Sequence, residues 1–173
     1  MRAVIVGCGR VGATMARALD TGGHEVTIID LVTRAFDRLP ATFRGNAVRG
    51  DGTDEDTLRR AGAEGADIFL ALTEGDNRNI MAAQLALEAL GIGRVFAKVN
   101  DPVRAQAYSE LGIGTICRTT MMADALLDAL GQAGGGEPSV RAGVGHHHPS
   151  APAAAVAAAP AAAVAAAATA GEG

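Results

Sequence analysis

Three glycines in the pattern Gly7-x-Gly9-x-x-Gly12 constrain this chain more than any other feature. They follow a short β-branched run at residues 3–6 and precede a helix-forming stretch at residues 13–20. A strand that feeds a glycine turn and then a helix is the context in which this spacing gains physical meaning. The first glycine permits a tight turn. The second lets the backbone approach a diphosphate, and the third lets helix and strand pack closely. Cys8, Arg10 and Val11 fill the variable positions. The first N–H groups of such a helix have no intrahelical partner and favour an anion. The Arg10 side chain starts beside that anion, suited to a terminal phosphate or to a bridge to a neighbouring subunit.

The spacing alone is a weak signal; Asp30 strengthens it. It ends a second buried strand, Glu25–Asp30, 18 residues past Gly12. A carboxylate there can accept both ribose hydroxyls of an adenosine, and it repels a 2′-phosphate, which disfavours NADP. Leu31 follows, and Arg34 stands one turn later, where it does not restore an NADP pocket beside Asp30. The competing reading makes the glycines turn residues and Asp30 a helix cap.

Strands and helices keep alternating to residue 131. Helix 31–39 stops at Pro40, and strand 47–49 runs into Gly50-Asp51-Gly52-Thr53. Helix 54–61 has Thr53 as its expected N-cap and acidic residues in its first turn. Strand 67–72 closes on Thr73-Glu74-Gly75-Asp76-Asn77 before helix 77–90. Strand 94–99 carries Lys98, a charge in an apolar run that needs a partner or a cleft. Helix 102–111, strand 114–117 and helix 121–130 complete the series. Strands separated by helices mean right-handed βαβ crossovers and a parallel sheet covered on both faces. The expected class is α/β: a six-stranded, doubly wound, Rossmann-like sheet. Its ligand edge collects the loops after the strands, so Asp51 and Gly52 fall on the adenine side and Thr73 on the phosphate side.

Residues 132–173 differ in kind. Gly134–Gly136 is a joint, three histidines stand at 146–148, and residues 151–170 are nearly all alanine without charge. Alanine drives membrane insertion poorly, and Pro152 and Pro160 interrupt the run, so a low-complexity tail is expected rather than a membrane span. Three adjacent histidines without supporting partners are expected to be a solvated tract rather than a metal site.

Composition narrows the function. A net charge of −4 and 3% aromatic residues speak against nucleic-acid binding. Two distant cysteines, Cys8 and Cys117, form neither a disulfide framework nor a zinc signature, which fits a reducing cytoplasm. No leader pattern precedes the first strand. No catalytic set is evident either. The only tyrosine, Tyr108, is followed at the fourth position by Gly112, so the Tyr-x-x-x-Lys pair of short-chain dehydrogenases is missing. A nucleotide site without chemistry beside it reads as a sensor.

Several segments in order now resemble one family: VIVGCGRVG at 4–12, GHEVTIID at 23–30 and GDGTDEDTLRRAG at 50–62. ADIFLALTEGDNRNIMAAQLA at 66–86, RVFAKVND at 94–101 and YSELG at 108–112 continue it. The chain resembles the regulatory RCK N-terminal (TrkA-N) domain of Trk/Ktr-type potassium uptake systems over residues 1–131. The resemblance implies a cytoplasmic gating subunit without enzyme activity that binds NAD(H) or ATP/ADP. It implies a homodimer through a crossover helix at 119–131, larger rings of up to eight copies, and a separate membrane potassium-translocating subunit. By position, Gly7, Gly9, Arg10 and Gly12 match the phosphate loop, Asp30 the ribose acid, Asp51 and Gly52 the adenine side, and Lys98 a cleft residue. Two departures stand out. The Ala-rich tail replaces the usual second ligand domain, and Arg118-Thr119-Thr120 stands where some members place a metal-binding acid. Two alternatives stay open: the cofactor domain of an NAD-dependent oxidoreductase, and a nucleotide or redox sensor for another partner.

Overall fold

A computed structural model describes residues 1–132 and 138–143. The strands are β1 Arg2–Val6, β2 Glu25–Asp30, β3 Asn46–Arg49, β4 Ile68–Ala71, β5 Val95–Lys98, β6 Gly114–Ile116 and β7 Val140–Arg141. The α-helices are α1 Arg10–Thr21, α2 Glu55–Arg60, α3 Asp76–Gln84, α4 Pro102–Glu110 and α5 Arg118–Ala129. The sheet order is β3-β2-β1-β4-β5-β6-β7; every pairing is parallel except β6 with β7. The chain winds outward from β1 to β3, then returns to the other side of β1 with β4. Between β1 and β4 the crossovers diverge, which leaves a crevice at the carboxyl ends of those strands.

Strand pleating divides the core into two layers. Ile5, Ile28 and Leu70 face α1, packing with Ala13, Ala16 and Ala35. Val4, Val6, Ile29, Phe69 and Ala71 face the other way, onto Leu58, Ile80 and Ala83. Alternate residues of one strand therefore bury on opposite sides, which is why the strands read as continuous apolar runs. Alanines at the α1 contact let that helix sit close to the sheet.

The structure corrects the sequence reading in four places. Among the described residues the sheet has seven strands, not six, and the seventh lies in the segment assigned to the tail. Ile116 pairs with Val140 and Thr115 with Arg141, and the Cys117 N–H donates to the Ser139 carbonyl at 2.8 Å. Two residues are too few for periodicity to reveal. The expected helix 31–39 is a 3-10 helix, Thr33–Arg38, with Leu31 and Val32 exposed. Asp30 accepts the Val32 N–H at 2.9 Å, which keeps the chain extended before the turn, and Pro40 ends it. Asp54, not Thr53, caps α2, accepting the Thr57 N–H at 3.1 Å. Thr53 instead gives its N–H and hydroxyl to Asp51 at 2.9 and 2.7 Å. The expected helix 77–90 is α3 followed by a π-helical turn, Leu85–Ala89, in which the Leu90 N–H reaches the Leu85 carbonyl at 3.1 Å. The histidines at 146–148 and the alanine run lie outside the described residues.

Candidate nucleotide site

The crevice opens into a cavity of about 770 Å³ at the carboxyl ends of the strands. Its floor is the glycine loop. Gly7 has φ +102°, a left-handed conformation in which a side chain is strained. A Cβ on Gly12 would fall 1.9 Å from the Gly7 carbonyl oxygen, so only glycine lets α1 pass this close to the loop. A Cβ on Gly9 would meet nothing within 4 Å. The space above Gly9 is open to a ligand, and the N-terminus of α1 faces it with unpaired N–H groups.

Asp30 closes one wall and also holds the loop. Its carboxylate accepts the Cys8 N–H at 2.7 Å and the Val32 N–H at 2.9 Å. It is not a helix cap: Val32 stands at the N-cap of the 3-10 helix without a side-chain bond, and Asp30 makes a turn before it. Each oxygen still has a lone pair for a hydroxyl, so holding the loop and binding a ribose are compatible.

Of the residues singled out from sequence, Gly7, Cys8, Gly9, Asp30, Leu31, Arg34, Asp51, Gly52 and Thr73 line this one cavity. A Cβ on Gly52 would fall 2.2 Å from Val6 Cγ1, so the small residue brings the third loop against β1. Four expected residues stand outside the lining. Gly12 acts through packing beneath the loop. Val11 is 55% exposed on the first turn of α1. Arg10 lines a neighbouring groove with Arg17 and Arg38. Lys98 is half-buried on β5, near Arg118, Glu74 and Asp76. Burial, and next the Arg118 charge, hold its pKa below the usual lysine range, against the pull of the two acids.

Sequence reasoning missed Arg38 and Arg78 in the lining and the role of Asn79. Asn79 is fully buried. Its Oδ1 accepts the Thr73 N–H and hydroxyl, both at 2.7 Å. Its Nδ2 donates to the Thr73 carbonyl at 3.1 Å and the Lys98 carbonyl at 2.8 Å. It fixes the loop after β4 to β5. The available signal was an asparagine in a helix interior, where its propensity is poor, shortly after a loop that needs partners.

Burial first, and the Asp30 carboxylate second, push the Cys8 thiol above its ordinary range, opposed by Arg38. The thiol stays protonated at neutral pH. Its contribution to stability is complete below the ordinary thiol pKa and is lost as pH rises through the raised value. Cys117 is equally buried. Iodoacetamide at pH 7 is expected to leave both thiols of the native chain unmodified and to label both in denaturant. Mass spectrometry of the labelled peptides checks this; rapid native labelling of Cys8 would show that the loop opens.

The fold and the crevice define a Rossmann-type domain of the class whose ligand edge is built from a glycine loop and an acid at the end of β2. A model of the TrkA-N domain matches residues 3–119, and the chain belongs to that family. It is 47% identical over 130 residues to the Trk system potassium uptake protein TrkA of Streptomyces coelicolor, covering 75% of this chain and 58% of that protein. It is 32% identical to a TrkA homolog of Methanothermobacter thermautotrophicus, with 75% and 60% covered. The chain thus spans somewhat over half the length of these relatives. Two solved structures share the fold. The TrkA-N domain of an Escherichia coli inner membrane protein has a TM-score of 0.66 at 19% identity, covering 75% of this chain and 96% of that one. The Shewanella denitrificans Kef C-terminal domain in its AMP-bound form has a TM-score of 0.60 at 22% identity, covering 78% and 84%.

Proposed function

We propose that this chain is a nucleotide-binding regulatory part of a potassium uptake system, with no catalytic role of its own. The observation that carries the reading is the cavity. Gly7, Gly9, Asp30, Asp51 and Gly52 meet there, in a chain nearly half identical to a potassium uptake protein over 130 residues. The ligand is an adenine nucleotide, NAD(H) or ATP/ADP. Its phosphates lie over Gly9 and the start of α1, its ribose hydroxyls on Asp30, and its base against Asp51 and Gly52. Arg34, Arg38 and Arg78 line the same space and have no ion-pair partner among the described residues. They supply positive charge around the phosphates, and Arg10 stands ready at a terminal phosphate or a neighbouring subunit. The AMP-bound Kef domain lends support to an adenine ligand.

The partners are a second copy of this chain, larger rings, and a membrane potassium-translocating subunit. Helix α5 supports the first. None of its residues is buried, and Met122 and Leu126 are each 61% exposed. Among the described residues no helix is long and apolar enough to cross a membrane; the proposed pore is a separate membrane subunit. Regulation then works by population shift: a nucleotide that prefers one assembly state about 100-fold supplies about 2.7 kcal/mol toward it.

Calorimetric titration with ATP, ADP, NAD and NADH, run side by side, tests the reading. At least one is expected to bind, and Asp30→Ala to weaken it at least tenfold, since a ribose hydrogen bond to a carboxylate contributes about 1.5–3 kcal/mol. No hydride turnover should accompany binding. Absence of binding by all four defeats the proposal.

A further inference from the structure

The cavity and helix α5 are joined by a line of hydrogen bonds. Thr73 and Glu74 line the cavity. Asp76 follows two residues later, at the start of α3. Its carboxylate accepts the Asn100 N–H at 2.9 Å, the Asp101 N–H at 3.2 Å and the Asn100 side-chain amide at 2.9 Å. The Asn100 carbonyl in turn accepts the Thr119 hydroxyl at 2.7 Å and the Cys117 thiol at 3.3 Å. Thr119 belongs to the first turn of α5. One residue, Asn100, therefore holds the loop that closes β4 with one end and the start of α5 with the other.

The joint is also incompletely satisfied. Asn100 Oδ1 is buried and has no hydrogen-bond partner. A buried acceptor without a partner is costly and calls for a reason. Coupling between sites requires an element with two arrangements, and an unpaired acceptor favours a second one in which Oδ1 gains a partner. Within the single chain none of the residues of α5 is buried.

We propose that Asn100 is a positioning residue that carries the state of the cavity to the first turn of α5. The inference rests on the nucleotide reading above and adds the route by which a bound nucleotide moves the helix.

Hydrogen exchange at residues 118–122, with and without saturating ATP, ADP, NAD or NADH, reads the route. The variants are Thr119→Val and Thr119→Ser. Thr119 is exposed and lies outside the cavity, so neither change threatens folding or removes a ligand contact. In the parent chain a nucleotide is expected to change exchange in this turn. Thr119→Val should raise exchange there about fivefold without ligand, the effect of losing one ordinary hydrogen bond. It should abolish the ligand response and, by reciprocity, change affinity by no more than about fivefold, while Thr119→Ser restores both. Asp76→Asn, which removes the carboxylate at the other end, should likewise uncouple the response. A parent chain that binds nucleotide without any response in this turn overturns the route, as does a Thr119→Val chain that responds like the parent. Failure of all four nucleotides to bind overturns the cavity reading first and the route with it.

Discussion

Gly12→Ala is expected to destabilise the domain by about 1–3 kcal/mol and to abolish nucleotide binding with it. The added Cβ falls 1.9 Å from the Gly7 carbonyl oxygen and 3.1 Å from the Gly7 carbonyl carbon. Both are backbone atoms, so no side chain can turn away, and overpacking of this kind costs about that much. Relief requires α1 to lift off β1, which moves the first turn of the helix away from the cavity. Gly9→Ala gives the contrast. Its Cβ meets nothing within 4 Å, so chemical unfolding should be nearly unchanged. The methyl group instead stands where a diphosphate would approach, and affinity for nucleotide should fall steeply. Denaturant unfolding and calorimetric titration of the two variants separate the effects. Equal losses of stability would show that the loop serves the fold alone.

Asn79→Ala is the second large effect. The asparagine side chain is the partner of the Thr73 N–H, the Thr73 carbonyl and the Lys98 carbonyl. Alanine leaves these backbone groups without it, at about 1–3 kcal/mol for each that water cannot reach. A loss of about 3 kcal/mol or more is expected in denaturant unfolding. The cavity edge at Thr73 should loosen as well, visible as faster hydrogen exchange in residues 72–75. Asn77→Ala, two residues away and exposed, removes one hydrogen bond from Arg104 at 2.7 Å and should cost about 1 kcal/mol or less. A similar cost at both positions would mean that the Asn79 bonds are not what holds the loop.

Much of the geometry of the candidate site was legible in the sequence. Gly7, Gly9 and Gly12 carry their meaning in their spacing, because the strand, turn and helix around them are consecutive in the chain. Asp30 could be found by distance along the sequence, because a βαβ unit fixes where the second strand ends. Asn79 could not. Its partners lie 6 and 19 residues away, and a buried asparagine resembles an exposed one in the sequence. Arg38 and Arg78 entered the cavity for the same reason: a 3-10 turn and a helix start aimed them there, and neither has a local signature. Lys98 shows the reverse case. Its charge in an apolar strand marked it as special, but the pleat and the packing of Arg118, Glu74 and Asp76 set it beside the cavity rather than in its lining.

By itself the sequence determined the alternation of strands and helices, the parallel sheet, the glycine loop and its acid, and the family. The fold features follow from local spacing and from the hand of the βαβ crossover, and the family from the order of several matching segments. Only the tertiary structure decided that β7 closes the sheet, that Asp54 rather than Thr53 caps α2, and that Asn79 and Asn100 tie distant loops together. Those outcomes depend on which polar groups burial leaves in need of a partner, and burial is a property of the packed chain.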